Sequence, residues 1–188
     1  MNEATFERAV ERLTACFRAG NKLLLCGNGG SAADCGHILG EFVKGFVKKR
    51  PLDQRLVEKI GCEWAGRLQQ GLPAIDLTAN GPLIAAVVND IDGESAFAQQ
   101  VTAYGRPGDV LIGISTSGNA ENVCRALITA RALGLTAIGM TGQTGGRMAE
   151  LCDILLNAPE SETYRVQEAH LKLYHQLCLR VESALFPV

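Results

Sequence analysis

Short, unbroken apolar runs separated by stretches of helical period constrain this chain more than any other feature. The runs are Lys22–Cys26, Ala74–Leu77, Asp109–Ile114, Leu135–Met140 and Ile154–Leu156. In Leu23-Leu24-Leu25 and Val110-Leu111-Ile112 the apolar residues are consecutive rather than alternating. A strand of that kind is buried on both faces, as happens in a parallel sheet covered by helices on either side. Between the runs lie predicted helices over 3–19, with Phe6, Val10, Leu13 and Phe17 on one face, then 82–89, 94–104, 119–133 and 162–185. Another is expected from the turn at Ser31, read as its cap, to about Lys49, where Pro51 breaks it. The alternation predicts an α/β protein, a three-layer α/β/α sandwich with a parallel sheet of about five strands. A single domain over 1–188 follows, opened by a helix within 1–20 and carrying a helical insertion at 52–71.

In open parallel sheets, ligands bind beyond the carboxyl ends of the strands. Three turns are predicted there: 27–31, 115–119 and 141–146. The second has the most chemical character. The run ending at Ile114 stops at Ser115, Thr116 and Ser117, then Gly118 and Asn119 precede a helical pattern. Such a turn offers backbone N–H groups, a helix dipole and three hydroxyls to an anion. It has no lysine, which favours the phosphate of a small metabolite over a nucleoside triphosphate.

All three histidines lie in two predicted helices with carboxylates nearby. His37 and Glu41 are i and i+4, on one helix face, and His170 and His175 follow Gln167 and Glu168 on the last helix. Imidazole and carboxylate so arranged suit a metal site or an acid–base pair.

The formal net charge of −2 argues against a dedicated nucleic-acid binder. The main basic cluster, Lys44, Lys48, Lys49 and Arg50, reads as a solvated helix face. Seven scattered cysteines without a C-x-x-C pair point away from disulfides and structural zinc and toward a reducing cytoplasm. The first residues are acidic and amphipathic, unlike a signal peptide, and no apolar run approaches the ~20 residues of a membrane span.

Leu23–Phe42 with its Gly-Asn-Gly-Gly-Ser turn, Gly108–Val123, Leu135–Met148 and Val166–His175 together resemble the phosphoheptose isomerases of the sugar-isomerase (SIS) domain superfamily. The resemblance implies that His37, Glu41, Gln167 and His175 hold zinc. It implies that Asn28, Gly29, Gly30, Asn89, Asp90, Ser115, Thr116, Ser117 and Gln167 contact substrate, with Ser31 beside them in the first turn. Glu41 and His175 match the pair that moves protons. The implied reaction converts sedoheptulose 7-phosphate to D-glycero-D-manno-heptose 7-phosphate through an enediolate. The resemblance also implies a homotetramer. Gln167 and His175 stand eight residues apart, ~12 Å along a straight helix. Either the helix begins after Gln167, or the two serve different copies of a site shared between subunits.

Three positions depart from the family pattern: Ala120 and Tyr164, where serine and aspartate are usual, and the segment after Pro51. That segment reads as a helix with Leu56, Ile60 and Leu68 on an apolar side, either packed on the core or on a neighbouring chain, or serving as a lid over the substrate. Two other functions use the same fold: an adaptor resembling the DnaA-initiator-associating proteins, and a sugar-phosphate sensing domain. Retention of Glu41 and His175 favours the enzyme, since an adaptor needs neither.

Overall fold

The computed structural model describes residues 2–187. Five strands, β1 (Leu23–Gly27), β2 (Ala74–Asp76), β3 (Val110–Ile114), β4 (Thr136–Thr141) and β5 (Ile154–Asn157), form one sheet in the order β2-β1-β3-β4-β5. Every pairing is parallel, with Leu25 opposite both Asp76 and Ile112, and Ile114 opposite Gly27 and Met140. Helices cover both faces, as the continuous apolar runs require. Leu23, Leu25, Ile112 and Ile138 face a core built on α1 (Glu3–Arg18), α2 (Gly30–Val43) and α9 (Thr163–Leu185). Leu24, Cys26, Leu111 and Ala137 face the opposite core, built on α6 (Ala96–Tyr104) and α7 (Glu121–Ala132). Two further helices, α5 (Gly81–Asp90) and α8 (Met148–Leu151), flank that second face. The expected α/β architecture is the one the chain adopts.

The strand order reverses direction at β1 and β3, so the connections leave to opposite sides of the sheet. The crevice above such a switch point is where open α/β sheets bind ligands. Here the turn after β1 leads into α2 on one face, and the turn after β3 leads into α7 on the other.

Four local expectations are corrected. The helix after β1 ends at Val43, not near Lys49. The Glu182 carboxylate of α9 accepts from the N–H groups of Phe46, Val47 and Lys48 at 2.9, 3.0 and 3.1 Å, a better offer than continued helix could make in that segment. Consequently Lys44, Lys48, Lys49 and Arg50 are not one solvated helix face: Arg50 is buried against Glu182. Ser31 does not cap α2. Gly29, at φ +54°, takes the N-cap position, and Ser31 lies buried in the first turn. Finally, the segment after Pro51 forms two short helices, α3 (Gln54–Ile60) and α4 (Cys62–Ala65), broken at Gly61 (φ +88°). Within this chain Leu56 and Leu68 of its apolar side are exposed, as is Trp64, so that side does not pack on the chain's own core. Among the described residues no helix is long and apolar enough to cross a membrane.

Candidate functional site

The three turns predicted at the carboxyl edge meet there. Asn28 and Asn122 exchange amide hydrogen bonds at 2.9 and 3.0 Å, tying the turn after β1 to the first turn of α7. Thr116 accepts from Gly142 N–H at 2.9 Å, and Gly118 accepts from Met148 N–H at 3.0 Å, locking the hydroxyl turn onto the turn after β4. Gly118 sits at φ +68° against the backbone of Gly145 and Gly146, a place only glycine can occupy. Ser115 is buried, Thr116 half-buried and Ser117 exposed, with the Ser115 and Ser117 hydroxyls 3.5 Å apart. The helix beyond starts at Glu121 rather than 119, with Ala120 at the N-cap and no side-chain cap bond. The hydroxyls are therefore not consumed in capping α7. Ser117 Oγ accepts from Asn119 N–H at 3.2 Å, while Asn119 is itself held by its side chain, which accepts from Arg147 N–H at 3.0 Å.

A second constellation lies where α2 and α9 run side by side in the same direction. His37 Nε2 is 3.2 Å from Glu41 Oε1 and 3.3 Å from His175 Nε2. One donor atom from each of the three residues lies within 4.8 Å of the others. Four ligands around zinc, at bonds of ~2.1 Å, stand ~3.4 Å from one another. Two imidazoles and a carboxylate at this spacing are a donor set that suits such an ion.

The surroundings fix the orientation of His37. Tyr174 donates its phenol proton to Asp34 Oδ1 at 3.3 Å, and its oxygen lies 2.9 Å from His37 Nδ1. With that proton directed to Asp34, the phenol oxygen accepts from His37 Nδ1–H. The lone pair then resides on Nε2, facing Glu41 and His175. Burial, then the Asp34 charge, pushes the Tyr174 phenol well above its ordinary value, so it keeps its proton. Burial also raises the Asp34 carboxyl, against the lowering influence of His170, Tyr174 and His37. His170 is fully buried, 3.1 Å from the Thr141 carbonyl, and burial lowers its pKa. Lys44 places its ammonium 3.2 Å from Glu41 Oε2, on the side away from His37.

The predicted residues therefore divide. His37, Glu41 and His175 come together within one chain. Gln167 does not join them: α9 begins at Thr163, so Gln167 lies two turns before His175, with its amide packed on Gly30 at the start of α2. A helix starting after Gln167 is thereby ruled out. Asn89 and Asp90 are exposed in the last turn of α5 and bond to each other at 2.7 Å. Asp92, just beyond, pairs with Arg125 of α7, and Arg125 pairs with Glu121. This ties the end of α5 to the helix behind the hydroxyl turn. Sequence reasoning gave no role to Asp34 or Tyr174 and read Arg50 as a surface charge. Asp34 had a readable signal, since it precedes His37 by three residues and shares its helix face.

The SIS-domain family matches residues 82–184, and a second SIS-domain family matches residues 1–69. The phosphoheptose isomerase of Burkholderia pseudomallei (strain 1710b) is 43% identical over 183 residues, covering 97% of this chain and 83% of that protein. Among solved structures, the phosphoheptose isomerase GmhA from Neisseria gonorrhoeae aligns with a TM-score of 0.80 at 36% identity, covering 96% of this chain and 86% of the other. A phosphoheptose isomerase from Francisella tularensis aligns with a TM-score of 0.81 at 30% identity and the same coverage.

Proposed function

We propose that this chain, which belongs to the phosphoheptose isomerases of the SIS-domain family and is a sugar-phosphate isomerase, acts on sedoheptulose 7-phosphate and forms D-glycero-D-manno-heptose 7-phosphate. The observation that carries the reading is the convergence of a carboxylate and two imidazoles, donor atoms within 4.8 Å, in a chain whose adjacent strand ends carry a hydroxyl turn.

In this reading the ester phosphate lies against Ser115, Thr116 and Ser117, with Asn28, Gly29, Gly30 and Ser31 on the neighbouring turn and Asn89 and Asp90 at the rim. Hydroxyl and N–H donors there replace the water that the phosphate gives up. The carbonyl end of the open-chain sugar lies by His37, Glu41 and His175. Glu41 takes the proton alpha to the carbonyl, giving an enediolate. Lys44 pairs with the outer oxygen of Glu41 at 3.2 Å and leaves Oε1 on the His37 side. His175 moves the proton between the two sugar oxygens, and the carbon-bound proton returns to the neighbouring carbon. Proton count and charge balance over the cycle, as an isomerisation demands.

His37, Glu41 and His175 would hold a zinc ion, with Gln167 as a fourth ligand supplied by another subunit or after local rearrangement. The ion's contribution when bound is Lewis acidity toward the carbonyl oxygen. Gln167 lying two helical turns before His175, with its amide against Gly30, supports a site completed between subunits, in a homotetramer. The free cysteines, most of them buried, fit a reducing cytoplasmic compartment.

The test is incubation with a panel of ketose phosphates in deuterated water, followed by NMR. Deuterium should appear at C1 of sedoheptulose 7-phosphate, or at C2 of the aldose heptose 7-phosphate formed from it. No exchange with any sugar in the panel, together with capture of a protein partner, would turn the assignment to the adaptor reading.

A further inference from the structure

We propose that Arg50 is a positioning residue for the His37–Glu41–His175 cluster, acting through the backbone of α2. The proposal rests on the reading of that cluster as a metal-binding site. Its side chain is wholly buried, an unusual state for a guanidinium, and every polar contact it makes bears on the two helices that carry the cluster. Nη2 donates to the carbonyl of Glu41 at 3.0 Å, and Nη1 to the carbonyl of Phe42 at 2.7 Å. These are among the last four carbonyls of α2, which have no partner within the helix. Arg50 thus caps α2 from seven residues beyond its end at Val43 and sets a positive charge at the negative end of its dipole.

The other edge of the guanidinium grips α9. Nε donates to Glu182 Oε1 at 2.8 Å, and Nη2 lies 2.7 Å from the same oxygen. Glu182 follows His175 by seven residues, two helical turns, and so shares its face. Burial alone would raise the Glu182 carboxyl. The N–H groups of Val47 and Phe46, Arg50 and the N–H of Lys48 outweigh burial and hold the carboxyl below its ordinary value. One guanidinium therefore spans from the carbonyl of Glu41 to the helix that supplies His175. The separation of α2 from α9 at this level sets the distance between the Glu41 and His175 side chains. Lysine cannot replace this function. Its single ammonium can keep the pair with Glu182 but cannot hold two carbonyls in a planar fork at the same time.

The experiment compares Arg50→Lys, Glu182→Asp and the unaltered protein in binding Co²⁺ alone, read by visible absorption, and Zn²⁺ alone, read by competition with a chromophoric chelator. Folding is checked by near-UV circular dichroism. Supporting groups around metal ligands are typically worth 10–100-fold in affinity. Because Arg50 acts through backbone, about 10-fold weaker binding is expected for each variant, with an altered Co²⁺ spectrum. A role confined to stability would lower the melting temperature and leave spectrum and affinity unchanged, and that result overturns the proposal. Failure of both variants to fold overturns it too, since the clamp would then be a determinant of folding. His37→Ala separates the two ideas. If it leaves Co²⁺ binding intact, the metal reading of the cluster falls. If it abolishes binding while Arg50→Lys does not weaken it, only the positioning role falls.

Discussion

Replacing Glu41 by Gln removes one charge and keeps the shape of the side chain. Two contacts change: the 3.2 Å approach to His37 and the 3.2 Å ion pair with Lys44. Both partners are one helical turn away, and the Lys44 side chain is 62% exposed, so solvent screens the pair. Contacts of this kind are worth about 0.3–0.5 kcal/mol each, and the fold should lose well under 2 kcal/mol. The chemistry should lose far more. A positioned general base contributes roughly 10²–10⁴-fold, equivalent to about 3–5.5 kcal/mol of barrier. An amide cannot accept the carbon-bound proton, and no second carboxylate belongs to the cluster among the described residues. Turnover of sedoheptulose 7-phosphate, followed as washout of deuterium from C1, should fall by at least 100-fold. The urea midpoint and the affinity for inorganic phosphate should stay near their original values, because the hydroxyl turn belongs to β3 and not to α2. Turnover within 10-fold of the unaltered protein would refute Glu41 as the base. An equal loss of phosphate affinity would refute the separation of the two subsites.

Gly118→Ala should disrupt the hydroxyl turn. The left-handed conformation costs a non-glycine residue roughly 1–2 kcal/mol. The added methyl would also strike the Gly145 and Gly146 backbone, with overpacking adding roughly 1–3 kcal/mol. Inorganic phosphate binding measured by calorimetry should be lost or sharply weakened; unchanged affinity would contradict the phosphate assignment. Stability should also fall on mild acidification. Burial holds the His170 pKa below its unfolded value of about 6.5, so the unfolded chain takes up that proton first. The stability this group contributes is full above pH 6.5 and is lost as pH falls toward its folded value. Asp34, raised by burial, carries the opposite sign, so the informative quantity is the difference between the unaltered protein and His170→Gln. Urea midpoints at pH 7.5 and 5.5 should converge in the variant; an identical pH dependence in both proteins would exclude His170 as the source.

The architecture was legible from residue order because unbroken apolar strands such as Leu23–Leu25 must be covered on both faces, whatever lies elsewhere in the chain. The shared face of His37 and Glu41 was legible for a similar reason: helical period fixes neighbours four residues apart. The hydroxyl turn could be placed at the sheet edge from the abrupt end of the run at Ile114. Tertiary structure decided the contacts between distant segments. Helical period allowed residues 44–49 to continue α2, but Glu182, far along the chain, offers their N–H groups a carboxylate, and the helix ends at Val43. The same packing turned Arg50 from a presumed surface charge into a buried clamp. It also aligned α9 so that His175, and not Gln167, reaches His37. Local sequence fixes local period and burial, whereas the partner of a side chain depends on how two helices are set against one sheet, and that is settled only when the whole core packs.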